Sequence, residues 1–109
     1  MNNLKMAISI KNKEDRINKL VEYLLQKYGS DSFVIKDYWD ADRCAIGFTD
    51  ISEQYLFYIS IYNLDEGRYF VVLENLSKDS DLFYEAAGEF NNVQLIEVES
   101  IFTKHLRIN

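Results

Sequence analysis

Four strand-like runs with very short gaps between them constrain the fold of this chain more than any other feature. They cover residues 32–38, 43–49, 54–62 and 68–74, and most of them are rich in aromatic and β-branched residues. The gaps are only four or five residues long. Connections of that length cannot hold the crossover helix that parallel strands require, so consecutive strands should pair antiparallel as a meander.

Two apolar stripes at helical spacing flank these strands. The first predicts a helix that begins at Asn12 as its N-cap, ends at Tyr28 and is followed by Gly29 as a left-handed C-cap. The second predicts a closing helix capped by Asn91 or Asn92. The stripes consist of Ile17, Leu20, Val21, Leu24, Leu25 and Tyr28, and of Leu95, Val98, Ile101, Phe102, His105 and Leu106.

Two segments allow more than one interpretation. Residues 4–10 alternate between apolar and other side chains, which fits a short strand or an N-terminal extension of the first helix. Residues 77–81 form a polar loop, and residues 82–84 fit a fifth short strand or a loop against the core. We therefore predict a single α+β domain over residues 1–109, with an N-terminal helix, a four- or five-stranded antiparallel meander sheet and a C-terminal helix.

The third and fourth predicted strands are apolar or aromatic on both faces, whereas a sheet with one wet face would show polar alternation. The second face should therefore be covered in part, by the second helix or by another chain. A helix on each face, or aromatic side chains left half exposed, is the simpler explanation, because monomers already expose much apolar surface.

The charge of the chain is concentrated in its middle. Residues 31–99 hold fifteen Asp and Glu against four Lys and Arg, a net charge of −11, whereas the flanks carry +5. Such a segment disfavours direct binding of nucleic acid or an anionic membrane and favours a basic protein partner. Lys11, Lys13, Arg16 and Lys19 form a small basic patch, which we interpret as a solvated helix face.

Several features predict a cytoplasmic protein. Residues 1–10 lack the features of a signal peptide, and no run approaches the roughly 18 uninterrupted apolar residues of a membrane span. The single cysteine, Cys44, permits no internal disulfide, which fits a reducing compartment.

No motif for catalysis, a cofactor or a metal stands out, so we predict a protein that is not an enzyme. A nucleophilic dyad would need Cys44 and His105, but no local signature joins them, and Cys44 fits a small apolar side chain in a strand. Asp37, Asp40 and Asp42 are closely spaced but lack the glycine and bidentate glutamate of a calcium loop. The four glycines are isolated, so no phosphate-binding loop is present.

One group of residues suggests a binding surface, which we call the acidic rim. Its members lie in the first and third loops, which emerge at the same end of a meander. Trp39 would act as the aromatic anchor, and the carboxylates would steer a basic partner. The alternative is a set of charged turns that keep the sheet end soluble. The acidic rim consists of Tyr38, Trp39, Asp40, Asp42, Asp65 and Glu66.

In its organisation the chain resembles the small acidic immunity proteins that bacteria encode beside polymorphic toxins. The likeness lies in its length, its terminal helices and a meander around Cys-Ala-Ile-Gly-Phe-Thr-Asp (44–50) and Gly-Arg-Tyr-Phe-Val-Val-Leu-Glu (67–74). It implies a cytoplasmic inhibitor that binds a toxin domain, in many cases a nuclease with a basic cleft, and blocks its active site. No individual functional residue carries over from this family.

Three other functions remain open from the sequence. The first is an acidic nucleic-acid mimic or anti-defence factor, in which carboxylates imitate phosphates. The second is a small enzyme or ligand-binding domain with a pocket between sheet and helices. The third is a homodimeric structural module that buries the second face of the sheet.

Overall fold

The computed structural model describes residues 13–36, 42–77 and 84–108, and the predicted strand or helix extension at residues 4–10 lies outside them. Within the described residues, the chain forms two helices and one five-stranded sheet. The elements are α1 (Asp15–Tyr28), β1 (Val34–Lys36), β2 (Ala45–Thr49), β3 (Tyr55–Ser60), β4 (Tyr69–Leu76), β5 (Tyr84–Val93) and α2 (Leu95–Leu106). The strands follow chain order across the sheet, and every neighbouring pair is antiparallel. The predicted α+β meander is confirmed, in its five-stranded form.

Both described helices pack on the same face of the sheet. Phe102 of α2 lies at the centre of the core, with its ring centroid 5.2 Å from Phe33, 5.5 Å from Phe48 and 5.2 Å from Phe57, each in an edge-to-face arrangement. The buried stripe of α1 belongs to the same cluster. For the two described helices, the predicted arrangement with a helix on each face is therefore wrong, because both stripes belong to one core cluster with the inward-facing strand residues.

The second face of the sheet is covered in part, because Leu56 of β3 is only 1% exposed although it lies outside the cluster that includes the helices. In β2, Ala45 and Thr49 are fully buried although neither belongs to the cluster that includes the helices. In the paired strands, Tyr58 of β3 lies opposite Val72 of β4, and both are half-buried, as is Phe70. Half-exposed aromatic side chains, which the sequence also allowed, are therefore present on this face beside fully buried residues.

The first helix has its N-cap two residues later than predicted. Its N-cap is Glu14, and Asn12, the predicted cap, lies outside the described residues. The backbone N–H of Glu14 donates to the carbonyl of Arg43 at 2.8 Å, so a tertiary contact sets the start of the helix. At the other end, Gly29 has the positive φ of 88° that was predicted, but its ψ of 149° is extended. The chain therefore leaves α1 directly towards β1.

The last strand and the last helix also differ from the prediction. β5 is ten residues long and includes Asn91 and Asn92, so the prediction that one of them caps α2 is wrong. Pairing with β4 continues to Val93, which lies opposite Tyr69. The helix instead starts with a capping box in which the Gln94 N–H donates to the Glu97 carboxylate at 2.9 Å. Among the described residues, neither helix is long and apolar enough to cross a membrane.

Candidate functional site

Three members of the acidic rim lie at one end of the sheet. Asp42 comes shortly before β2, and Asp65 and Glu66 lie in the connection between β3 and β4. The two connections are held together because the N–H of Ile61 donates to the carbonyl of Cys44 at 2.9 Å. The other members, Tyr38, Trp39 and Asp40, lie outside the described residues.

Asp42 is bound into the fold through both its backbone and its side chain. Its carbonyl oxygen accepts a hydrogen bond from the Lys13 ammonium at 2.7 Å, and its carboxylate accepts one from the Cys44 N–H at 2.9 Å. Lys13 is only 4% exposed. Burial of a charged group is costly unless it is hydrogen-bonded, so this contact fixes the loop relative to α1. Asp42 therefore has a structural role at the rim.

The predicted solvated basic patch is only partly correct. Lys13 is buried and Arg16 is half-buried, whereas Lys19 is exposed and pairs with Asp15 at 3.2 Å. Lys11 lies outside the described residues. The two buried or half-buried cations reach towards loop carbonyls, which a helical pattern alone could not indicate.

The β3–β4 connection presents its carboxylates to solvent in a fixed shape. Asn63 and Gly67 take positive φ values of 58° and 83°, which asparagine and glycine tolerate better than other residues. The Arg16 guanidinium of α1 donates to the Leu64 carbonyl at 3.3 Å. Asp65 and Glu66 are exposed and form no ion pair with the described residues. Their charges are therefore free to act on a partner.

Tyr62 adds an exposed aromatic residue to this end of the sheet. It is 73% exposed, and its N–H donates to the Ser60 hydroxyl at 3.1 Å. Sequence reasoning placed Tyr62 at the end of a strand and missed it as a surface residue. The signal that could have found it is an aromatic residue directly before a turn containing Asn63 and two acids.

A recess of about 290 Å³ opens beside Tyr62, where the second face of the sheet meets the rim. Tyr58 and Phe70 form aromatic walls, and Asp42 supplies a carboxylate. Among the described residues, the lining consists of Asp42, Tyr58, Ser60, Tyr62, Leu64, Phe70 and Asn91. A recess with aromatic walls and a carboxylate is suited to a lysine or arginine side chain, whose apolar stem packs on the rings.

Two half-buried tyrosines at this end of the sheet have raised pKa values. Burial raises the pKa of Tyr58, and the negative charge of Asp42 raises it further, while a hydrogen bond with Ser60 acts in the opposite direction. Burial also raises the pKa of Tyr69, with Arg16 lowering it and Glu66 raising it. Burial is the main cause of both raised pKa values, so both hydroxyl groups stay protonated at neutral pH.

The two residues that a nucleophilic dyad would need are at opposite ends of the sheet. Cys44 accepts its backbone hydrogen bond from Ile61 at one end of β3, whereas the His105 ring contacts Tyr55 at the other, with 5.6 Å between centroids. Six extended residues separate these ends by about 20 Å. Cys44 is half-buried in the turn before β2, not in the strand as predicted.

The thiol of Cys44 is also held in its less reactive form. Burial raises its pKa, and the carboxylates of Glu14 and Asp42 raise it further. A raised pKa lowers the fraction of thiolate, which is the nucleophilic form. Within residues 13–36, 42–77 and 84–108, no three His, Cys, Asp or Glu side chains are grouped as a metal site would require.

Comparisons of the chain with protein-family models, with curated proteins and with solved structures found no match.

Proposed function

We propose that this chain is a non-enzymatic protein-binding module whose acidic end recognises a basic protein surface. In its specific form, the proposal is a bacterial immunity protein that binds and neutralises a toxin domain in the cytoplasm. The single observation that carries it is the exposed Tyr62, which lies beside an aromatic recess and next to the unpaired carboxylates of Asp65 and Glu66.

The physical basis of binding would be an aromatic anchor among complementary charges. Tyrosine and arginine are enriched among the residues that dominate interface affinity, and Tyr62 is available for that role. A lysine or arginine of the partner would enter the recess between Tyr58 and Phe70 and approach the carboxylate of Asp42. The net charge of −11 over residues 31–99 would increase the rate of encounter with a basic surface.

Inhibition would follow from occupancy alone. A basic cleft that binds nucleic acid presents lysine and arginine side chains to phosphate groups. Carboxylates at the rim would pair with those cations and exclude the nucleic acid, so no chemical step is needed. A nuclease toxin is therefore the class of partner that this surface suits best.

The proposal is tested by affinity capture from the native cell at low salt, with tagged wild-type protein and two matched variants. The rim variant carries Asp65→Asn and Glu66→Gln. The control variant carries Glu22→Gln and Glu89→Gln, two exposed positions outside the rim. A basic protein retained by the wild type and the control, but depleted with the rim variant, supports the proposal. Equal retention by all three contradicts the role of the rim.

The toxin version needs one further measurement with the captured protein. If its activity, for example nuclease activity, falls as purified wild-type chain is added in equimolar amount, the immunity role is supported. A captured protein whose activity is unchanged would leave a binding module but remove the immunity function.

A further inference from the structure

A groove on the helix side of the sheet lies at the end opposite the acidic rim. α2 packs mainly on β3 and β4, which leaves part of β5 uncovered next to the helix. The groove between them has a volume of about 530 Å³. Pockets for small ligands typically measure roughly 300–1,000 Å³, so the groove is large enough for one.

One part of the groove is apolar. Its wall on the strand side is formed by Leu73, Ala87 and Phe90, and its wall on the helix side by Ile101. Phe90 is 38% exposed, although large apolar side chains on this side of the sheet are otherwise mostly buried or half-buried. A ligand that covered Phe90 would remove this apolar surface from water, at about 25 cal/mol for each Å² buried.

The other part of the groove is cationic. Lys104 and Arg107, at the end of α2, are exposed and form no ion pair among the described residues. The guanidinium carbon of Arg107 lies 4.7 Å from the centre of the Tyr55 ring, which orients the group beside the groove. Among the described residues, the lining contains no carboxylate side chain, in a chain whose net charge is −6.

The side chains behind these cations are fixed in place. The Nε2 atom of His105 lies 3.1 Å from the carbonyl oxygen of Glu74, so the imidazole is held against β4. Its ring meets that of Tyr55 edge to face. The Tyr55 ring therefore contacts Arg107 and is itself held in place by His105. These contacts preorganise the cationic end of the groove.

We propose that this groove binds a small carboxylate with an apolar body, such as a medium-chain fatty acid. The carboxylate would lie between Lys104 and Arg107, and the apolar body would cover Phe90 and Ile101. Charge complementarity selects an anion, and the apolar part of the groove selects an amphiphile over a fully polar ion. This site is independent of the acidic rim, so either proposal can fail without the other.

The test uses the full chain and three probes with the same eight-carbon body: octanoate, octan-1-ol and octylammonium. Amide chemical shifts are followed by NMR as each probe is added below its micelle-forming concentration. Octanoate should cause saturable shifts around Phe90, Ile101 and Lys104, with an affinity about tenfold above that of octan-1-ol. Octylammonium should cause none there. Absence of saturable octanoate shifts, or equal binding of octylammonium, would overturn the proposal.

Two charge-matched variants separate a local site from a general effect of positive charge. Lys104→Gln with Arg107→Gln should weaken octanoate binding about tenfold or more. Lys19→Gln with Arg43→Gln removes two exposed cations elsewhere and should leave the affinity unchanged. If both variants bind octanoate like the wild type, Lys104 and Arg107 serve only to offset the dipole of α2, and the proposal fails.

Discussion

The side-chain ammonium of Lys13 lies 2.7 Å from the backbone carbonyl oxygen of Asp42, and it is almost completely buried. A second bond, from the Glu14 N–H to the Arg43 carbonyl at 2.8 Å, joins the same two segments. The start of α1 and the loop before β2 therefore form one unit. A binding surface that is fixed before it meets its partner loses less conformational freedom on binding.

Replacement of Lys13 should destabilise the fold. Lys13→Met keeps the apolar stem but removes the buried charged hydrogen bond, which is typically worth about 1.5–3 kcal/mol. Urea unfolding should show a loss of that order. Lys19→Met is the control, because the exposed pair of Lys19 with Asp15 should contribute less than about 0.5 kcal/mol. Equal losses in the two variants would contradict a structural role for Lys13.

Phe102 should be the most sensitive position of the core. Its ring contacts Phe33, Phe48 and Phe57, so Phe102→Ala would leave a cavity lined by three rings. The expected loss in the free energy of unfolding is about 3–5 kcal/mol. Ile96→Ala, on the same helix but 75% exposed, should change it by less than about 0.5 kcal/mol. A loss below about 1 kcal/mol for Phe102→Ala would contradict the packing described for α2.

Glu99 joins the two helices and should make stability depend on pH. Its carboxylate accepts hydrogen bonds from Tyr23 at 2.6 Å, Tyr28 at 2.7 Å and Lys27 at 2.5 Å. Burial alone would raise the pKa of Glu99, but these hydrogen bonds outweigh burial and hold the pKa below its usual value. A lowered pKa in the folded state means that the fold stabilises the charged carboxylate. The contribution of Glu99 to the free energy of unfolding is therefore complete above the unfolded-state pKa of about 4.3.

That contribution is lost as the pH falls through the folded-state pKa of Glu99. The free energy of unfolding should therefore decrease below about pH 4.3, and Glu99→Gln should make the decrease shallower. The variant should keep part of the pH dependence of its free energy of unfolding because of Asp50. Hydrogen bonds from Ser52, Tyr55 and Gln54 outweigh burial and lower the pKa of Asp50 as well. Urea unfolding across the acidic range measures this. An unchanged slope in Glu99→Gln would contradict the account of the cluster.

The fold was largely predictable where the local sequence pattern favours the same secondary structure that the tertiary contacts require. The stripe of α1 and the runs around β2, β3 and β4 combine strong periodicity with short connections, which leaves few alternatives. β5 was not predictable as a ten-residue strand, because Ala86, Gly88 and Asn91 favour strands poorly. Its conformation is set by pairing with β4, a long-range interaction that local propensity does not contain.

The candidate site was predictable in position but not in detail. Antiparallel order is enough to bring Asp42 to the same end as Asp65 and Glu66. It does not reveal that the Asp42 carboxylate accepts a hydrogen bond from the Cys44 N–H, or that Tyr62 is left exposed. Those outcomes depend on side-chain contacts across the loops. The sequence also does not predict which face of the sheet α2 covers, because its apolar stripe could pack on either face.

Replacement of Asp42 should therefore destabilise the fold more than replacement of the two exposed acids. Asp42→Ala removes the hydrogen bond to the Cys44 N–H and should lower the free energy of unfolding by about 1 kcal/mol. Asp65→Asn with Glu66→Gln should change it by less than about 0.5 kcal/mol, because both side chains are exposed. Thermal or urea unfolding of the variants checks this. A larger loss in the double variant would mean that these acids serve the fold and not a partner.

The central claim, that the acidic rim recognises a basic partner, is tested most directly by the salt dependence of association. The rate constants for binding of the captured partner are measured from low to physiological salt, for the wild type, the rim variant and the control variant. We expect the wild-type association rate to fall about tenfold or more as salt rises, with little change in dissociation. The rim variant should show a weaker dependence and the control the full one. A wild-type rate insensitive to salt, or identical slopes for the two variants, would contradict the claim.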